Sequence, residues 1–309
     1  MKSIYYAATT ALLSVALTSC FPEPETLSEE TTDTENAVTS AFTFHLKGAF
    51  ETSYEDMTRT VRLESDNTAG MTDVWVLDYY DDDDNSSTPP VLTQQLHQTT
   101  ADESFGQPQM QLQYGHHDIV LVASKGTSPS LTGATDGSTT ATLSWGKVMD
   151  TFALLYPVDV TSTSNGNRAP ELQRIISGVT VQMTDEIPTV AATVDVVWQK
   201  SASITLPSLQ IATPADGTQT LSFPASYIGK TDKEFSVYTL ISDADASAEL
   251  TLTFRKSDQS VISTINIPSV SLRRNRMTHL AGKCFSTSAS GTFSLSVSNT
   301  WSDALNLDF

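Results

Sequence analysis

Positive charge is the first thing this chain is short of. Seventeen lysine and arginine side chains stand against 36 carboxylates in 309 residues, a net charge of −19 at pH 7. Such a surface repels phosphate backbones and anionic lipid headgroups, which argues against nucleic acid as a partner and against membrane binding through basic residues. Cysteine is nearly missing: Cys20 and Cys284 are the whole complement, too few for a disulfide framework. No segment carries a helical stripe over three turns, and no apolar run is long enough to cross a bilayer and stay there. Also missing are HExxH, GxSxG, a phosphate-binding Walker loop and a glycine-rich dinucleotide turn, so the sequence offers no enzyme motif and no cofactor site.

What is present begins with a secretion signal. Met1–Ser19 has one lysine, an apolar run from Ala7 to Leu17 and small residues before Cys20. Leu17-Thr18-Ser19-Cys20 resembles the bacterial lipobox, in which the cysteine is acylated and cleavage leaves it as the new N-terminus. Several acyl chains on Cys20 make anchoring stable where one alone would not. Removal of residues 1–19 takes Lys2 and no acid, leaving 16 basic and 36 acidic side chains and a net of −20. Residues 21–40 hold Pro22, Pro24, six carboxylates and no lysine or arginine, a composition unable to bury enough apolar surface to order itself. This acidic flank resembles the one that Bacteroidetes surface lipoproteins carry on the outer leaflet of the outer membrane, and it reads equally as a plain solvated tether.

The rest is almost wholly β. Alternating or β-branched runs occur at Phe42–Leu46, Val74–Tyr80, Met110–Tyr114, Ile119–Ala123, Phe152–Val160, Val179–Met183, Val194–Trp198, Leu221–Phe223, Phe235–Ile241, Leu250–Phe254, Val261–Ile267 and Phe293–Val297. A short helical turn over Leu143–Phe152 fits the spacing as well as an extended chain does. Thr161–Pro170 is polar and turn-rich, and Glu171–Pro188 after it reads as a long strand with a basic entry at Arg174. The expected organisation is therefore a signal at 1–20, a linker at 21–40 and two β-sandwich domains, 41–168 and 169–309.

Chemistry-bearing residues are sparse. His45, His97, His116, His117 and His279 are scattered, and the adjacent His116-His117 reads as a hairpin edge in preference to a metal pair. Asp81–Asp84 lacks the glycine and distant glutamate of a calcium loop. Cys284, in the expected strand Leu280–Phe285, reads as a small buried hydrophobe. Trp75, Trp145, Trp198 and Trp301 lie in different elements, as core fillers do. An exposed plane built from them with Tyr79 and Tyr80 would instead mark an outer-membrane glycan-binding lipoprotein, the competing reading.

Four stretches together carry a resemblance: Gly115–Ser124 (GHHDIVLVAS), Met149–Phe152 (MDTF), Leu172–Ile176 (LQRII) with its Asp185–Pro188 exit, and Leu272–Thr278 (LRRNRMT). In combination they resemble the fimbrillin-like family of Bacteroidales type V pilus subunits, over roughly Phe42 to the C-terminus. The resemblance implies two transthyretin-like sandwiches in tandem and secretion as a lipoprotein with a palmitate-type anchor in the cell outer membrane. It also implies donor-strand exchange with other subunits into an adhesive fimbria, which would meet a host or bacterial surface ligand. The family has no catalytic residues and includes stalk, tip and anchor subunits. Stalk subunits are cut by an arginine-specific protease before the mature sandwich, and Arg59 or Arg62 sits where that cut would fall; an anchor subunit would keep its first strand. At the other end Leu305, Leu307 and Phe309 repeat the spacing of Phe42, Phe44 and Leu46, the pattern of a donor strand or of a last strand in the chain's own domain.

Overall fold

Period-two burial dominates the molecule. The structure, a computed structural model, describes residues 39–46, 70–81, 88–164 and 166–286, together with the backbone of 294–298. Among these residues the only helical piece is a single 3-10 turn, Ala225–Tyr227. The first ten strands are β1 (Thr39–Phe44), β2 (Asp73–Asp81), β3 (Val91–Thr99), β4 (Gln109–Gln113), β5 (Gly115–Ser124), β6 (Ser130–Thr132), β7 (Ala141–Ser144), β8 (Thr151–Val160), β9 (Asn167–Arg168) and β10 (Gln173–Arg174). The next ten are β11 (Ile176–Met183), β12 (Ala191–Lys200), β13 (Ser203–Leu206), β14 (Gln210–Ile211), β15 (Ala215–Ser222), β16 (Lys233–Leu240), β17 (Ala246–Lys256), β18 (Val261–Leu272), β19 (Met277–Gly282) and β20 (Ser294–Ser298).

A five-stranded sheet, in the order β10-β8-β5-β2-β3, is covered on both faces. Val74, Val76, Ile119 and Leu121 pack with Phe42, Phe44, Met110 and Leu112 of a three-stranded sheet, β4-β1-β9. Leu77, Tyr79, Val120 and Val122, one residue out of phase, pack on the other face against Ala141, Leu143, Ile204 and Leu206. Two-sided burial explains why β5 reads as the unbroken run Ile119–Ala123 and not as an alternation. A third core lies between the sheets β16-β11-β19-β20 and β15-β12-β17-β18. There the strands alternate: Leu250, Leu252 and Phe254 of β17 point in, while Thr251 and Thr253 lie on the outer, more exposed face.

The position of the expected boundary, between residues 168 and 169, falls between β9 and β10, and ladders cross it. β10 pairs with β8, and β13 pairs with β7 from Ser203↔Ser144 to Leu206↔Ala141 in the sheet β14-β13-β7-β6. All described residues lie in one compact unit, Ala37–Phe309.

One open choice is decided and two local expectations are corrected. No helical turn forms over Leu143–Phe152: Ala141–Ser144 is strand, because Ala141 and Leu143 alternate into the core and both edges of β7 find partners in β6 and β13. His116 and His117 belong to β5, which is flanked by β2 and β8, so they are interior to a sheet and not at a hairpin edge. β19 ends at Gly282, leaving Cys284 beyond it, though buried as expected.

Candidate functional site

The expected first strand is where sequence and structure meet most closely. β1 is the middle strand of its sheet. It runs antiparallel to β4, from Thr39↔Gln113 to Thr43↔Gln109, and parallel to β9, with Thr43↔Asn167 and Phe44↔Arg168. The Thr43 N–H donates to Gly166 O at 2.6 Å, and the His45 N–H to Arg168 O at 2.7 Å. On the other side the Phe44 N–H donates to Pro108 O at 3.0 Å. Phe42, Phe44 and Leu46 are buried, as their alternation requires, and Ala41 and His45 point outward. Phe44 meets Tyr156 edge-on at 6.4 Å, and the Arg168 guanidinium lies 5.0 Å from the centre of the Phe42 ring. Burying three such side chains stabilises by roughly 5–9 kcal/mol before ordering costs.

Gly166 lets the strand approach so closely. A Cβ there would run into the carbonyl oxygen of Ala41, a backbone atom that cannot turn aside. The approach of β9 to β1 thus requires a residue without a side chain at position 166.

A second constellation joins three of the four stretches that carried the resemblance. Arg174 holds Asp150 with two bonds, Nε to Oδ1 at 2.6 Å and Nη2 to Oδ2 at 3.0 Å, and its Nη1 donates to Asn275 Oδ1 at 2.9 Å. Its guanidinium lies 4.6 Å from the Phe152 ring centre. Arg274 donates from Nε to the Arg174 carbonyl at 2.9 Å and pairs through Nη1 with Asp243 at 2.6 Å. The planar fork of Arg174 suits this role, and a lysine there could not make it. MDTF, LQRII and LRRNRMT are therefore one contact, a joint between the five-stranded sheet and the strands after residue 175.

The remaining polar groups are structural in their surroundings. Asp185 accepts the N–H groups of Cys284, Phe285 and Ser286 at 2.7, 2.8 and 2.9 Å. Burial, helped by the nearby Asp185, pushes the Cys284 thiol well above its ordinary range, which is the opposite of a reactive thiolate. Burial likewise raises the Tyr79 phenol to about 12. Among the described residues no group of histidine, cysteine and carboxylate side chains is arranged to hold a metal ion. Trp145, Trp198 and Tyr79 are buried, and Trp75 stacks on His97 at 4.1 Å, so these rings form no common exposed plane. Cys20, Arg59, Arg62, Trp301, Leu305, Leu307 and Phe309 lie outside the described residues, as do Asp82–Asp84.

Sequence reading missed the buried pair formed by Asp78 and His117. Their side chains are 1% and 0% exposed, with His117 Nδ1 2.6 Å from Asp78 Oδ1. The only signal for it was that His117 lies two residues before the apolar run Ile119–Ala123.

No protein-family model matches the sequence, and a search of curated proteins finds no match. Solved structures do resemble it. A candidate adhesin from Bacteroides ovatus is 12% identical over 73% of this chain and 77% of its own, with a TM-score of 0.47. A candidate adhesin from Bacteroides thetaiotaomicron is 9% identical over 86% of this chain and 98% of its own, at 0.46. The fimbrial anchor protein Mfa2 from Porphyromonas gingivalis is 11% identical over 85% of this chain and 98% of its own, at 0.44.

Proposed function

We propose that this chain is a structural subunit of a cell-surface fimbria, built from two transthyretin-like sandwiches, exported as a lipoprotein through Cys20 and joined to other subunits by strand exchange. The observation that carries the reading is β1. Its inward side chains complete a core, it lies between two strands with no other ladder partner among the described residues, and the sequence joining it to β2 contains Arg59 and Arg62. A cut after either arginine would free β1 to leave. The vacated slot would present apolar side chains and unpaired backbone groups, which a neighbour's strand satisfies by addition. The C-terminal Leu305, Leu307 and Phe309 have the spacing to fill the places of Phe42, Phe44 and Leu46. Adhesion, and a surface ligand for the assembled fibre, follow from this reading and not from any ligand pocket in the chain.

Mass spectrometry of protein extracted from the cell surface tests it. An N-terminus at Thr60 or Leu63 in polymeric material supports processing and exchange, whereas acylated Cys20 as the only N-terminus would mean that β1 is retained. Leu307→Asp should leave a folded monomer that fails to polymerise once cut. Polymers forming at the unaltered rate would exclude the tail as donor, and a variant unable to fold would place the tail in its own domain.

A further inference from the structure

β4, the template side of the slot, has β1 as its only ladder partner among the described residues, so departure of β1 removes its ladder bonds. Three further hydrogen bonds to its backbone and to the turn after it come from the five-stranded sheet beneath. Gln94 of β3 donates from Nε2 to Gln111 O at 2.5 Å. Tyr80 of β2 donates its hydroxyl to Tyr114 O at 3.2 Å. His117 of β5 donates from Nε2 to Gln113 O at 3.0 Å.

The last bond explains the buried pair. A carbonyl oxygen only accepts, so His117 Nε2 carries a hydrogen, and one further proton lies between Nδ1 and Asp78 Oδ1. The Thr93 hydroxyl donates to Asp78 Oδ2 at 2.7 Å. Such a pair is retained in the interior only when each partner is met, and here every contact fixes the imidazole toward the end of β4. The turn from β4 into β5 is also locked. Gly115 has φ of +138°, and the Tyr80 ring lies 2.6 Å from where a Cβ at that position would stand.

We propose that Gln94, Tyr80 and the Asp78–His117 pair are positioning residues that clamp β4 from below, so that it stays in place as a template for whichever strand fills the slot. This rests on the strand-exchange reading above. The clamp acts from a sheet that keeps its own ladders when β1 is gone, so the slot stays open for the next strand.

The test uses the full chain with residues 58–63 replaced by the recognition site of a sequence-specific protease. After cutting, a fluorescent peptide of residues 38–47 is offered in excess, and its uptake is followed by anisotropy. The unaltered clamp takes up the peptide, and Tyr80→Phe combined with Gln94→Leu, which keeps ring and bulk, binds it about ten-fold more weakly. The same double variant, uncut, should melt close to the parent. Equal affinity and rate in parent and variant overturn the clamp, as does an uncut variant destabilised as much as its peptide affinity is weakened. A parent chain that takes up no peptide overturns the exchange reading itself, a separate result.

Discussion

β11 pairs with β16 from Ile176 to Met183 and with β19 from Gly178 to Met183, and those neighbours pair onward or are covered. β1 is as deeply buried at Phe42 and Phe44 as β11 is at Val179 and Val181, all at 0% exposure. Its flanking strands β4 and β9, however, meet nothing else in their sheet. Burial alone does not therefore say whether a strand can leave. The number of elements that must come apart with it does, and for β1 that number is small. Local opening of this kind is the expected source of low-stability segments in a domain whose other parts are held globally.

The largest effect that separates the two regions comes from one core-disrupting substitution in each. Val181→Asp buries an unpaired carboxylate in a strand laddered on both edges, at a cost above about 4 kcal/mol, and should abolish cooperative unfolding. Phe44→Ala empties a site in the slot and should cost about 3–5 kcal/mol, with loss of hydrogen-exchange protection confined to β1, β4 and β9. If Phe44→Ala instead deprotects β11 and β16, the two regions unfold as one and the comparison fails.

Next in size is Gly166→Ala. The new methyl would meet the Ala41 carbonyl and force β1 as a whole away from β9 at about 1–3 kcal/mol, without touching the core between β11 and β17. Arg174→Met follows at about 1–2 kcal/mol, because its bonds to Asp150 and Asn275 are lost while the Asp150 carboxylate keeps access to water. Hydrogen exchange should show β10 loosening from β8, and an unchanged exchange pattern would remove the joint from this account.

Much of this was legible in the sequence, and the reasons are particular. Val74–Tyr80, Ile119–Ala123 and Leu250–Phe254 declare themselves through β-branched or alternating apolar residues, and Phe42, Phe44 and Leu46 through their spacing. β3, with Gln94, Gln95 and Gln98, carries no such signal, since a strand at a sheet edge is defined by its partner as much as by its composition. β6, β7, β13 and β14 are two to four residues long and exist because strands on either side of residue 169 meet. No local pattern encodes such a meeting. For the same reason the joint was visible only as three separate motifs, and Asp78–His117, 39 residues apart, was not visible at all.

The smallest expected effect contrasts the five-stranded sheet with the sheet β15-β12-β17-β18 through pH. The hydrogen bond of His116 with Asp159, opposed by slight burial and helped by Asp118 and Asp81, raises the His116 pKa above its ordinary 6.5. A group whose pKa is raised by folding contributes stability fully below its unfolded value, and loses it as pH rises through the folded value. His116 is partly exposed and Asp159 largely so, and the pair is screened, so the contribution is a few tenths of a kcal/mol at most. Asp195, between β15 and β17, behaves oppositely. Burial favours its neutral form, but bonds from Arg255 and Thr220 prevail and lower its pKa below 3.8. Its contribution is present above that value and disappears as pH falls through the lower folded one. Protection of β5 and β8 should thus weaken slightly above about pH 6.5, and protection of β12 and β17 below about pH 3.8. His116→Gln should flatten the first slope and leave the second untouched. A slope that survives the substitution would assign the upper pH dependence to another histidine, and one that is steeper in low salt would identify it as a surface interaction.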